Sequence, residues 1–268
     1  MNPISSNQNS IIKELKSLKT KKYREEKKLY FIEGTRFVEE ALKEKMNIAY
    51  ILFSEKYLDS DDGKQISSIA HLMGYRLYLL PDKLFREISD TENPQGVMAV
   101  IKMKMFELEE ILSEKCNFLI VLDSIQDPGN MGTIIRTADA AGASGIIMSK
   151  GCVDLYNPKV LRSTMGSIFH LPVCFSSDIT EDILLLKSRG VKICAAHLKG
   201  EVDYYDVSEW DNTAIIIGNE ANGICDEVAS SADLLVKIPM AGRAESLNAS
   251  VAAGLLIYEA LRNRPKLP

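Results

Sequence analysis

Three short polar stretches in the C-terminal half of this 268-residue chain carry the residue types that chemistry needs. The first is Asp127-Pro-Gly-Asn130-Met-Gly132, with Arg136 further along the same pattern. It lies between a wholly apolar run, Phe118 to Leu122, and a helical pattern. In open α/β sheets ligands bind at such a junction, and helix N-termini favour anions. The second stretch, Ile217-Gly218-Asn219-Glu220 with Asn222 and Gly223 after it, puts a carboxylate and amides at another strand end. The third is Ile238-Pro-Met240 followed by Ser246-Leu247-Asn248 and Ser250, at the start of a helix expected from Ser246 to Arg262. Plainer readings stand beside these. Arg136, set among Ile134, Ile135 and Ala138, is equally a packed ion-pair partner, and the last helix is equally a serine-capped core helix. Three polar-tipped strand ends in one small domain suggest a single cleft.

Other chemistries lack their signatures. Neither G-x-G-x-x-G nor G-x-x-x-x-G-K-[ST] occurs, which argues against dinucleotide and Walker-type sites. The five cysteines and three histidines are scattered, with no C-x-x-C and no H-E-x-x-H. No metal site and no disulfide framework are expected, and the usage suits a reducing cytosol. The N-terminus is polar and no apolar run reaches membrane-spanning length, so neither a signal peptide nor a membrane is expected and the location expected is cytoplasmic. With 46% hydrophobic and 26% charged residues, the chain has the material for a soluble globular core.

The elements that must position these stretches follow an α/β rhythm. In the first half, helices are expected at 4–19, around Phe37 to Leu42, at 64–73 and at 82–88. Strands are expected at 30–32, 48–53, 75–80 and 97–101. Residues 102–112 read as a connection. The second half has strand patterns at 118–122, 144–148, 171–174, 191–196, 214–217 and 234–239. Helical segments lie between them at 133–141, 158–165, 180–189 and 223–229, the alternation of a mostly parallel sheet. The domains expected are 1–105 and 106–268.

Net charge divides the same way. The whole chain carries −5, but residues 1–105 hold 18 Lys and Arg against 15 Asp and Glu, a net of +3, leaving −8 for the rest. Lys21, Lys22 and Arg24 sit in the densest basic run, 13–28, which reads either as a phosphate-contacting surface or as a solvated helix face.

Taken together, the three stretches resemble the three motifs of the SpoU/TrmH family of RNA ribose 2′-O-methyltransferases, of the SPOUT class. The likeness runs through Leu122-Asp-x₃-Asp-Pro-Gly-Asn-x-Gly-x₃-Arg136, Ile217-Gly-Asn-Glu-x₂-Gly223, and Ile238-Pro-Met…Glu245-Ser-Leu-Asn-x-Ser250. Asn157-Pro-Lys-x₂-Arg162-x-Ser-x-Gly166 also fits. The first half resembles the substrate-binding domain that often precedes these motifs, through Phe31-x-Glu-Gly-x-Arg36 and Asn93-Pro-Gln-Gly96.

The resemblance implies a small N-terminal α/β substrate-binding domain, then an α/β domain with a parallel sheet and a C-terminal trefoil knot. It implies S-adenosylmethionine as cofactor, held by Ala196, His197, Leu198, Gly218, Asn219, Ile238, Met240 and Leu247. Arg136, Asn130, Glu220, Ser246 and Asn248 would form the reacting pocket, and Arg36 and Arg162 would join the basic run on RNA. A homodimer is implied, with the reacting pocket near its interface. Ribosomal RNA is favoured over tRNA, since a two-domain reader suits a folded, looped target. A guanidinium gives up its proton only at great cost, which makes a cationic Arg136 the preferred reading over a neutral base.

Overall fold

Strands form here where β-branched and aromatic residues run together, and the innermost runs are buried on both faces. The computed structural model describes residues 1–112 and 116–264, which fall into two units. One unit joins Met1–Lys104 to Tyr156–Phe169; the other joins Met105–Leu155 to the chain from His170 onward.

The first unit runs β1 (Asn2–Pro3), α1 (Ser10–Ser17), α2 (Lys21–Lys27), β2 (Leu29–Glu33), α3 (Thr35–Lys43) and β3 (Ile48–Ser54). It continues α4 (Glu55–Leu58), α5 (Asp61–Leu72), β4 (Leu77–Leu80), α6 (Asp82–Ile88) and β5 (Val97–Lys102). The strands form a mixed sheet in the order β1-β4-β3-β5-β2, with β5 antiparallel to both its neighbours. One face of that sheet packs Ile12, Leu15 and Leu18 against Phe31, Leu52, Phe85 and Val100. The helix expected at 4–19 is shorter. The chain begins as a strand pairing β4, Ile4 N–H donates to Leu79 O, and the Asn9 side chain caps α1 by accepting from Ile11 N–H.

Arg24 corrects the phosphate-contact expectation. It is 3% exposed and donates from Nη1 to Leu18 O at 2.7 Å. A guanidinium buried against a backbone carbonyl holds the α1–α2 junction and is not available to RNA. Lys21 and Lys22 on the same helix are exposed, as is Arg36 on α3.

The second unit begins with α7 (Leu108–Ile111), a short helix closed by a Glu107/Glu110 capping box inside what reads in sequence as a plain connection. Then come β6 (Phe118–Leu122), α8 (Pro128–Ala140), β7 (Gly145–Met148) and α9 (Pro158–Thr164), the last of which belongs to the first unit. The remainder is β8 (Val173–Phe175), α10 (Ile179–Ser188), β9 (Lys192–Ala196), β10 (Val202–Asp203), β11 (Thr213–Ile217), α11 (Asp226–Ser231), β12 (Leu234–Lys237) and α12 (Ala249–Asn263). Every strand pair in its seven-stranded sheet is parallel, in the order β10-β12-β9-β11-β6-β7-β8. From β6 the chain builds outward to β7 and β8, then crosses to build the other side. The reversal puts the carboxyl ends of β6, β11, β9 and β12 side by side, a topological switch point of the kind that binds ligands.

The segment 156–169 is built into the first unit by specific contacts. The Tyr156 ring lies 4.5 Å from that of Tyr30, and Phe169 lies 5.2 Å from Phe37, centroid to centroid. Arg162 Nη1 pairs with Asp90 Oδ2 at 3.0 Å. Among the described residues no helix is long and apolar enough to cross a membrane.

Candidate active site at the switch point

The first motif, expected to precede a helix at 133–141, itself forms the opening turns of α8. Asp127 caps that helix by accepting from Asn130 N–H at 2.8 Å, and Pro128 occupies its first turn, where a missing N–H costs nothing. Asn130 thereby becomes a rigid, 8% exposed helical residue pointing into the domain. The third motif behaves similarly. Asn248, rather than Ser246, caps α12, its Oδ1 accepting from Ser250 N–H at 2.9 Å and Val251 N–H at 3.4 Å. Ser246 and Leu247 stay in the preceding loop, exposed.

These caps orient a hydrogen-bond chain through all three motifs. Because Asn248 Oδ1 faces backbone donors, its Nδ2 must donate, and it does so to Asn130 Oδ1 at 2.9 Å. Asn130 Nδ2 in turn donates to Glu220 Oε1 at 2.9 Å. Glu220 also accepts from Gln126 N–H at 3.3 Å and Asp127 N–H at 3.2 Å. A carboxylate facing only donors must be ionised. Burial alone would raise the Glu220 pKa, but the hydrogen bonds from Asn130 and the backbone outweigh it and hold it below the usual carboxylate value. Glu220 is therefore a fixed anion and a poor proton acceptor.

Asn219 has a different task. Its Oδ1 accepts from Ala221 and Asn222 N–H, its Nδ2 donates to Ser124 O at 2.7 Å, and its backbone pairs both ways with Gly223. Its side chain thus closes the second-motif turn, leaving only the main chain to face a ligand. Gly218 is required by the same turn. A Cβ there would stand 2.3 Å from both Gly223 C and Ile224 N. The turn's own backbone therefore leaves no room for a side chain at Gly218.

A cavity of about 390 Å³ opens at the ends of β9, β11 and β12. Ala196, His197, Leu198, Gly218, Asn219, Ile238, Met240 and Leu247 all line it, together with Glu220 and Ser246. Leu198, 70% exposed, and Leu247, 36% exposed, present apolar surface at this cavity. One residue escaped the sequence reading, and another entered it only as part of the first motif, with no role given. Asp226 lines the cavity three residues after the second-motif glycine, a position its charge could have flagged. Asp123, 5% exposed, braces the strand end by accepting from Cys225 N–H at 3.2 Å and Ser124 Oγ at 3.1 Å. Its place directly after the buried run Phe118–Leu122 was the available signal.

The structure brings Asn130, Glu220 and Asn248 into direct contact and places Ser246 on the cavity; Arg136 stands apart. It lies on the exposed side of α8, six residues beyond Asn130, about 9 Å along the axis at 1.5 Å per residue. No ion pair engages it among the described residues, so its charge is open to an incoming anion rather than committed to the core.

Residues 117–258 match the SpoU rRNA Methylase family. The chain belongs to that family. Residues 9–99 of this SpoU-family protein match the MRM3-like substrate binding domain. It is 36% identical to the 23S rRNA (guanosine(2553)-2′-O)-methyltransferase of Bacillus subtilis, over 96% of this chain and 98% of the relative. It is 35% identical to the 23S rRNA (uridine(2479)-2′-O)-methyltransferase of Streptomyces viridochromogenes, over 70% and 68%. The crystal structure of the AdoMet-bound rRNA methyltransferase from Sinorhizobium meliloti superimposes with a TM-score of 0.88 at 33% identity, covering 97% of both chains.

The ionised state of Glu220 gives the SpoU-family chain a testable pH signature. Glu220→Gln turns one acceptor into a donor facing backbone N–H groups, and about 1 kcal/mol of stability is expected to go after solvent screening. A group with a lowered folded pKa stabilises above its unfolded pKa and loses that contribution as pH falls through the folded value. The gap in melting temperature between wild type and variant should therefore be present at neutral pH and close in acid. A gap that widens in acid, or is absent at neutrality, overturns the assignment.

Proposed function

We propose that this protein methylates a ribose 2′-hydroxyl of 23S ribosomal RNA, using S-adenosylmethionine, as a cytoplasmic homodimer. The observation that carries this is the hydrogen-bond chain Glu220–Asn130–Asn248, which ties three motifs to one cavity. The cavity residues suit the cofactor. About 390 Å³ falls in the range of small-molecule sites, Ile238 and Leu247 offer apolar surface for an adenine, and Asp226 and Glu220 offer negative charge to a sulfonium. Bound there, S-adenosylmethionine would supply an electrophilic methyl group.

The chain's own residues orient the hydroxyl and its neighbouring phosphate. Arg136, permanently cationic, would hold the phosphate and stabilise charge developing on the 2′-oxygen. Asn130, locked by Glu220 and Asn248, would fix the depth of the nucleotide, and Ser246 would close the cavity side. Since Glu220 is held as an anion by donors, its role is positioning, and the 2′-hydroxyl proton passes to solvent. The dimer is supported by α12, where Val251, Leu255, Tyr258 and Leu261 are 51%, 36%, 50% and 41% exposed along one stripe.

The test is ribose-methylation mapping of ribosomal and transfer RNA from cells with and without the protein, followed by transfer of labelled methyl to the identified RNA in vitro. One 23S position losing its methyl group is the expected result. A lost position in tRNA alone, or none with no binding of labelled S-adenosylmethionine, overturns the reading.

A further inference from the structure

At the end of the N-terminal sheet where β2, β3 and β4 begin and β5 ends, a cavity of about 520 Å³ gathers positive charge from separate elements. Lys27 closes α2, Lys28 follows it in a left-handed conformation (φ 55°), Arg76 precedes β4, and Lys102 ends β5. Lys28, Arg76 and Lys102 make no ion pair among the described residues, and all three are exposed; Lys27 pairs with Glu26 at the surface, at 3.4 Å, and lies over the Tyr23 ring, 5.7 Å from its centroid. The one acid lining the cavity, Glu14, already accepts a 2.6 Å hydrogen bond from Tyr50. Tyr78, half-buried and edge-on to Tyr50 at 5.6 Å between centroids, supplies an aromatic wall.

Strand order decides how the charges are spread. β4, β3, β5 and β2 are neighbours, so the cations at the ends of β4, β5 and β2 span three strand spacings, about 14 Å. A row of unpaired cations this long, beside an aromatic face, does not fit a single small anion. It fits a chain of phosphates whose bases or riboses stack on the wall. We propose that this cleft binds the phosphodiester backbone of single-stranded RNA, through Lys27, Lys28, Arg76 and Lys102. The inference rests on the reading of the protein as an RNA methyltransferase and moves RNA capture from the middle of the basic run to its end.

The experiment compares two full-length double variants that remove the same charge. Arg76→Gln with Lys102→Gln empties the cleft; Lys64→Gln with Lys83→Gln neutralises exposed lysines elsewhere in the same unit. Binding of a fluorescein-labelled single-stranded RNA of mixed sequence is read by anisotropy across a potassium chloride series, beside binding of labelled S-adenosylmethionine and the melting temperature. The cleft pair is expected to bind roughly ten-fold more weakly. Its salt slope should be shallower by about 1.4, since each lost single-strand contact lowers it by about 0.7. Cofactor affinity and melting temperature should be unchanged, and the control pair should stay near wild type. A cleft pair that matches the control while wild type binds RNA and methylates it overturns the cleft alone. Wild type binding neither RNA nor cofactor overturns the cleft and the methyltransferase reading together.

Discussion

Arg136→Ala is expected to lower methyl transfer by about 10²–10³-fold, the usual loss when one donor to a developing oxyanion is removed. Cofactor affinity and melting temperature should barely move. The reason lies in where Arg136 stands: on the exposed side of α8, outside the hydrogen-bond chain that joins the motifs and outside the cavity lining. Its deletion leaves no buried partner unsatisfied. Arg136→Lys separates charge from shape, since lysine keeps the charge but loses the planar fork. We expect most of the loss to persist in the lysine variant. Single-turnover rates at saturating cofactor, with cofactor binding measured alongside, make the check. Transfer within a few-fold of wild type in the alanine variant would remove Arg136 from the reacting pocket.

Gly218→Ala should damage two properties together. The added Cβ would meet Gly223 C and Ile224 N at 2.3 Å and Gly223 O at 2.6 Å, all backbone atoms that no rotamer change can move. The turn must shift, at an expected cost of about 1–3 kcal/mol. That corresponds to a fall of several degrees in melting temperature for a domain of this size. The displaced turn also carries Asn219 and Glu220, so cofactor affinity should fall by roughly ten-fold or more. Calorimetric melting and labelled S-adenosylmethionine binding report the two effects. A variant that melts with wild type and keeps its affinity would show that the turn has slack the distances deny.

Much of this arrangement was legible from residue pattern. The run Phe118–Leu122 read as a strand buried on both faces, and it is one, with every residue buried. The helix expected at 82–88 has those bounds. Errors gathered where a local rule competed with another. The helix after the first motif was expected only from residue 133, yet the Asp127 cap and Pro128 start α8 before that point. Ser246, Asn248 and Ser250 all favour a helix start, and only the hydrogen bonds that Asn248 Oδ1 accepts from Ser250 and Val251 N–H show which one caps. Burial of Arg24 depends on the α1–α2 junction folding back on itself, which no charge pattern records. The trefoil knot entered through resemblance alone, because the general rules of connection exclude knots.

The excursion of residues 156–169 into the first unit has a consequence for how the protein is born. A ribosome delivers Met1–Lys104 first, but the sheet it completes lacks Tyr156 against Tyr30 and Phe169 against Phe37 until another 65 residues have followed. At roughly 5–20 residues per second that wait is about 3–13 s. During it the aromatic faces of Tyr30 and Phe37 lack their partners, while β6 emerges before its neighbour β11 is made. Neither unit is finished when its own first segment is. The first waits on chain set inside the second's stretch of the message, and the second is interrupted by it, so the two are completed as interleaved products of one passage of translation.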